Sequence, residues 1–164
     1  MPDWLDGFLS EPQFEHFFAH VGFTSVDFDV LKLPGEMWPN LFLLHVQGDG
    51  SLPIAVAGDN LTASFSRDLK GADLTAFLHG PASDDVVDAF RRCVAERVCV
   101  CLRKHVHLHG KGITRVVEGA MAPILHAGQV RKIVGCLYFY DLDQETFCGL
   151  PDLASVKPLP ENTG

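Results

Sequence analysis

The chain is short of positive charge. Thirteen Lys and Arg stand against twenty-one Asp and Glu, for a formal net charge of −8. No basic run is longer than the pairs Arg91-Arg92 and Arg103-Lys104. This argues against a nucleic-acid binder, because phosphate contacts need clustered Lys and Arg. Long apolar runs are missing too: none reaches about 18 residues, so no membrane span is expected. The acidic N-terminus lacks the basic start and apolar stretch of a signal peptide. Five cysteines make an odd count without framework spacing, which points to free thiols in a reducing cytoplasm. Without secretion, the glycosylation pattern Asn60-Leu61-Thr62 carries no meaning. There is no internal repeat, nucleophile elbow, phosphate loop or recognisably spaced carboxylate pair, and the chain reads as non-enzymatic.

What is present is apolar material: 47% of 164 residues are hydrophobic, enough for one core with short extensions. The most ordered stretch is Arg97 to Tyr140. Val98, Val100, Leu102, Val106 and Leu108 alternate with Cys99, Cys101, Arg103, His105, His107 and His109, with Lys104 the one interruption of the apolar row. A period of two fits a strand. His109-Gly110-Lys111-Gly112 supplies a turn, Ile113 to Leu125 a second strand, His126-Ala127-Gly128-Gln129 a second turn, and Val130 to Tyr140 a third strand. Pro123 calls for a bulge or an edge position. The third strand is apolar on both faces, with Ile133, Leu137 and Phe139 on one and Val134, Cys136, Tyr138 and Tyr140 on the other. Both faces therefore need cover.

Ahead of these strands, Ser10 reads as a helix N-cap with Pro12 in the first turn. Phe14, Phe17, Phe18 and Val21 recur at helical spacing. Each Phe is worth about 1.5–3 kcal/mol if buried, so this helix is either the missing sheet cover or a dimer contact. Thr24 to Asn40 is a connection. Leu41–Gln47 and Ser51–Ala57 form a hairpin about Gly48-Asp49-Gly50, with Pro53 marking an edge strand. Asp59–Lys70 and Ala72–His79 are short helical segments joined at Gly71. Ser83 caps a longer helix with Val86, Val87, Phe90, Cys93 and Val94 as its buried stripe. Residues 143–164, with Pro151, Pro158 and Pro160, read as a flexible C-terminal tail.

The order is two strands, short helices, a longer helix and three antiparallel strands. This resembles the PAS fold, an α+β fold whose five-stranded antiparallel sheet is covered by short helices. Ile54-Ala55-Val56-Ala57-Gly58 followed by Phe65-Ser66-Arg67-Asp68-Leu69-Lys70-Gly71 is similar to a diverged group of stand-alone bacterial PAS proteins, which shows Phe-Gly-Arg-Asp-Leu-x-Gly. Ser66 departs from that pattern. Leu78-His79 ahead of Asp84-Asp85 resembles a stretched Leu-x-His-Pro-Asp-Asp segment. The resemblance implies residues 1–39 as N-terminal helix and connection, 40–142 as the PAS-like domain and 143–164 as tail. It further implies a cytoplasmic sensory or regulatory module that dimerises, here through Phe14, Phe17, Phe18 and Val21. Such a module acts on a partner signalling protein and can hold a small-molecule ligand between sheet and helices. The start at Met1 favours a stand-alone regulator over a fragment.

The cofactor is unknown, and none is required by the sequence. The Asn-Cys-Arg-Phe-Leu-Gln motif of flavin-binding light sensors is absent, and only His79 lies near the position from which haem-binding PAS proteins take an axial ligand. The alternative is a metal or haem protein built on His105, His107 and His109, which share one face about 6.5–7 Å apart. Two of them plus Glu118 or a cysteine make a plausible ligand set. The other readings of this face are exposed or interface histidines, or a pH-responsive interface. Cys99 and Cys101 read as a buried apolar pair. From His107 the acidic position a cupin-like oxygenase needs is held by Lys111 or Gly112.

Overall fold

The computed structural model describes residues 3–21, 29–65, 67–77, 81–108, 113–141 and 152–159. Helix α1 spans Glu11–Val21, behind a 3-10 turn at Asp3–Leu5. Strands β1 (Leu41–His45) and β2 (Ile54–Ala57) follow, then α2 (Asp59–Phe65), α3 (Leu74–Phe77) and α4 (Pro81–Glu96). Strands β3 (Val98–Leu108), β4 (Ile113–His126), β5 (Gln129–Tyr140) and β6 (Leu153–Pro158) complete one antiparallel sheet of order β2-β1-β5-β4-β3-β6.

The side chains of Val106 and Leu108 lie outside the described residues; from Val98 to Arg103 the expected alternation is seen on both faces. On one, Val98, Val100, Leu102 and Ile133 pack with Phe42, Leu61, Leu69, Leu74 and Phe90 beneath α2–α4. The Phe42 and Phe90 rings meet nearly edge-on at 5.7 Å. On the other, Cys99, Cys101, Ala120, Val134 and Cys136 pack with Phe14, Phe17, Phe18 and Val21 of α1. The third strand's two apolar faces are thus both covered, as its pattern requires.

The β4–β5 hairpin turns at Ala127-Gly128, both at positive φ (52° and 77°), as a two-residue turn with the sheet's twist demands. Pro123 pairs with Ile133. The described β3–β4 ladder stops at Met121, so no bond on that side needs the proline's missing N–H. The register irregularity falls just after it, between Ile124 and Leu125.

The tail corrects the sequence reading over part of its length. Leu153–Pro158 is a sixth strand, paired with β3 from Val98↔Pro158 to Arg103↔Leu153. Its proline stands at the end of an edge strand, where the outward N–H has no ladder partner to lose. Without β6 the first half of β3, both of whose faces are buried, would expose its backbone edge. Among the described residues, no helix is long and apolar enough to cross a membrane.

Candidate functional site

Two polar residues interrupt the apolar centre of the sheet. Arg103 on β3 and Glu118 on β4 stand directly opposite each other. Their side chains are 3% and 0% exposed, and Arg103 Nε donates to Glu118 Oε2 at 2.7 Å. A buried ion pair is tolerable only where further hydrogen bonds satisfy the charges. Here the N-terminal segment supplies them. The backbone N–H of Leu9 donates to Glu118 Oε2 at 3.0 Å and that of Ser10 to Oε1 at 2.7 Å. Arg103 Nη2 donates to the Gly7 carbonyl, and its guanidinium lies 5.8 Å from the centre of the Phe8 ring.

This seat holds the start of α1. Ser10 is the N-cap in the expected sense that its carbonyl accepts from Phe14 N–H at 2.8 Å. Its hydroxyl is spent elsewhere, on the Tyr140 hydroxyl at 2.5 Å. The Glu118 carboxylate lies at the helix's positive end, where a negative charge is stabilised. Burial pushes the Tyr140 phenol up; the Ser10 hydrogen bond works against that and the Glu118 charge with it. Tyr140 therefore stays protonated near neutral pH and available to Ser10.

Phe14, Phe17, Phe18 and Val21 lie against the chain's own sheet at 0%, 0%, 5% and 7% exposure. Of the two roles the sequence left open, they occupy that of sheet cover. Cys99, Cys101 and Cys136 share this core and are buried thiols. Burial raises all three, Cys99 to about 12, so they carry no thiolate at neutral pH.

Of the three histidines, the described residues place the side chain of His105 alone. His105 Nδ1 lies 2.9 Å from the Asp152 carboxylate, just ahead of β6. The side chain of His107 and all of His109 lie outside the described residues, as does His79. Glu118, the proposed further ligand, is committed to Arg103, Leu9 and Ser10. Among the described residues no group of three or more His, Cys, Asp or Glu side chains is placed to hold a metal. Lys104, the odd polar residue of the apolar row, reaches Asp85 of α4 at 2.9 Å and Asp152 at 3.2 Å.

Sequence reasoning named Glu118 as one possible metal ligand, did not pair it with Arg103, and gave Asp152 no role. A signal for the pair was present. The hairpin closes between Leu108 and Ile113, and Arg103 and Glu118 lie equally far back from that closure, so the turn alone sets them opposite.

A family model described as PAS domain matches residues 27–138. No curated protein matches the sequence. Among solved structures, the chain is similar to a light-oxygen-voltage domain whose mechanism was approached with a flavin analogue. The identity is 17% and the TM-score 0.54, over 75% of this chain and 93% of that one. It is also similar to the PAS domain of BvgS from Bordetella pertussis, at 21% identity and a TM-score of 0.50, over 68% of this chain and 85% of that one. At these identities the likeness is one of fold. The family match spans most of the sheet and the helices over its inner face, and the chain belongs to the PAS-domain family.

Proposed function

We propose that this protein is a non-catalytic sensory or regulatory module that works in the cytoplasm as a homodimer and acts on a partner signalling protein. The observation that carries this reading is the seat of the N-terminal segment on Arg103 and Glu118. Gly7, Leu9 and Ser10 are bonded to the centre of the sheet, so a change in how β3 meets β4 reaches α1 directly. The input is a small molecule taken up between sheet and helices. In support, the wall there includes α2 and α3, of seven and four residues. Helices that short have no independent stability and follow whatever they cover.

Dimerisation through Phe14, Phe17, Phe18 and Val21 takes the form of helix exchange, because each sheet offers the same seat and the same apolar bed to a second copy's α1. Native mass spectrometry of the untagged protein tests the reading, since it reports oligomer, retained small molecule and metal together. A dimer carrying an organic ligand is expected. A monomer at every concentration overturns the dimer, and near-stoichiometric metal would return the histidine strand to consideration.

A further inference from the structure

A second site lies at the rim of the sheet, away from the core between sheet and helices. A cleft of about 410 Å³ opens where β5 ends, between α1 and α2. Its volume falls within the range of small-molecule sites. Consecutive residues of β5 point to opposite faces, and at the strand's end the cleft touches both. The Tyr138 ring packs toward Phe14 of α1, with centroids 6.3 Å apart. The Phe139 ring packs edge-on to Phe65 of α2 at 5.9 Å. An occupant would therefore meet both covers of the sheet at once.

The lining has a definite chemistry. Its one cation, Arg115, is neutralised by Asp141 through two hydrogen bonds of 2.6 and 3.2 Å. Asn40 is also spent: its amide donates to the Leu137 carbonyl at 2.7 Å and its oxygen accepts from Asn60 at 3.1 Å. What faces the space without a hydrogen-bond partner among the described residues is uncharged: the Gln13 amide, the Asn60 carbonyl, the Ser64 hydroxyl and the Tyr138 hydroxyl. Burial, foremost, pushes the Tyr138 phenol well up, so it too stays neutral. Carboxamides set a donor beside an acceptor and match the edge of a heterocyclic base. Aromatic side chains offer faces on which such rings stack.

We propose that this cleft binds a neutral, flat, hydrogen-bonding ring compound of nucleobase or nucleoside size. The site is distinct from the helix-side input, and it holds or fails whether or not the protein dimerises. The test is a titration of the ¹⁵N-labelled full chain with adenosine, guanosine and uridine, and with adenosine monophosphate as the charged arm. At least one nucleoside is expected to shift the amides around Ser64 and Tyr138. Ala63→Trp, which fills the mouth of the cleft from an exposed helix position, should weaken that binding about tenfold or more, the cost of a lost stacking partner. Asn60→Ala, a milder change, should weaken it a few-fold. Three nucleosides that leave the cleft amides unmoved overturn the proposal, as does binding unchanged in both variants. Tighter binding of the monophosphate overturns the neutral assignment, because it would mean that an anion takes Arg115 from Asp141.

Discussion

The two faces of the sheet are covered by different means. Beneath α2–α4 the contact among the described residues is apolar to its centre, with polar groups at the rim. There Asp73 accepts from Leu52 N–H and Thr75 N–H, each at 3.0 Å, and Lys104 reaches Asp85. On the α1 face the apolar bed is as complete, but a buried ion pair stands in its middle and holds the chain by backbone atoms. Apolar contact is non-directional and tolerates repacking. A carboxylate with three fixed donors does not. The helix side can adjust to what it encloses, while α1 has one position on the sheet or none. The family match at residues 27–138 includes the ion pair but not α1. The seat thus lies within the matched residues, and the N-terminal segment that occupies it lies before them.

Removing the seat gives the largest expected effect. Glu118→Ala leaves a buried guanidinium without its carboxylate and two backbone N–H groups without an acceptor, and should cost about 3–5 kcal/mol. Amide exchange should show residues 3–21 released before the sheet opens. The double variant Arg103→Met, Glu118→Leu should regain most of the global stability, since an apolar pair often replaces a buried ion pair without loss. It should not restore protection at Leu9 and Ser10, because leucine accepts no hydrogen bond. Wild-type protection of α1 in the double variant would show that the phenylalanines alone fix the helix, and the contrast between the faces would collapse.

The sequence made the faces legible and the seat obscure for one reason. Strand periodicity sorts residues by side, so Val98, Val100 and Leu102 separated cleanly from Cys99, Cys101 and Arg103, and the need for cover on both sides of β5 followed. Periodicity does not say which polar residue is buried. Arg103 stands in one row with three histidines, and nothing in that alternation marks it as a buried member. The sixth strand was obscured by Pro158 at its end and by Pro151 and Pro160 on either side of it in the sequence. Pro158 reads as a breaker until it is known to stand on an edge. The cleft was illegible because Gln13, Asn60 and Tyr138 meet only through the packing of α1 and α2 on the sheet.

A smaller effect should appear on the helix face and leave α1 alone. A Cβ at Gly135 would lie 2.2 Å from the Phe42 ring and 2.6 Å from the Ala120 carbonyl oxygen. Gly135→Ala therefore overpacks a full core and should cost about 1–3 kcal/mol in denaturant unfolding. Adding Phe42→Leu relieves the ring contact but not the backbone one, so the recovery should be partial. In both variants Leu9 and Ser10 should keep their exchange protection up to global unfolding. Early release of α1 from a change on the opposite face would mean that the two covers are coupled through the sheet more tightly than their separate contacts imply.

The smallest effect contrasts the buried ion pair with its rim counterpart. Asp152, half exposed, accepts from Lys104 and His105 and fastens the start of β6. Burial pushes its carboxyl up, but the hydrogen bonds and charges of His105 and Lys104 outweigh that and hold it below the ordinary 3.8. A carboxyl lowered in the folded state contributes stability that is fully present above its unfolded value and lost as pH falls through the folded one. The loss of β6 anchoring is thus confined to pH below about 4. Solvent screening keeps it small: Asp152→Asn should cost no more than about 1 kcal/mol at neutral pH. A carbon-detected titration of the Asp152 carboxyl, read beside the amide shifts of Leu153–Pro158, measures both. A midpoint under the ordinary value, with strand shifts that follow it and vanish in Asp152→Asn, is expected. A midpoint at or above the ordinary value would show that the rim contacts do not hold β6 in solution. Its attachment would then rest on the β3 ladder alone.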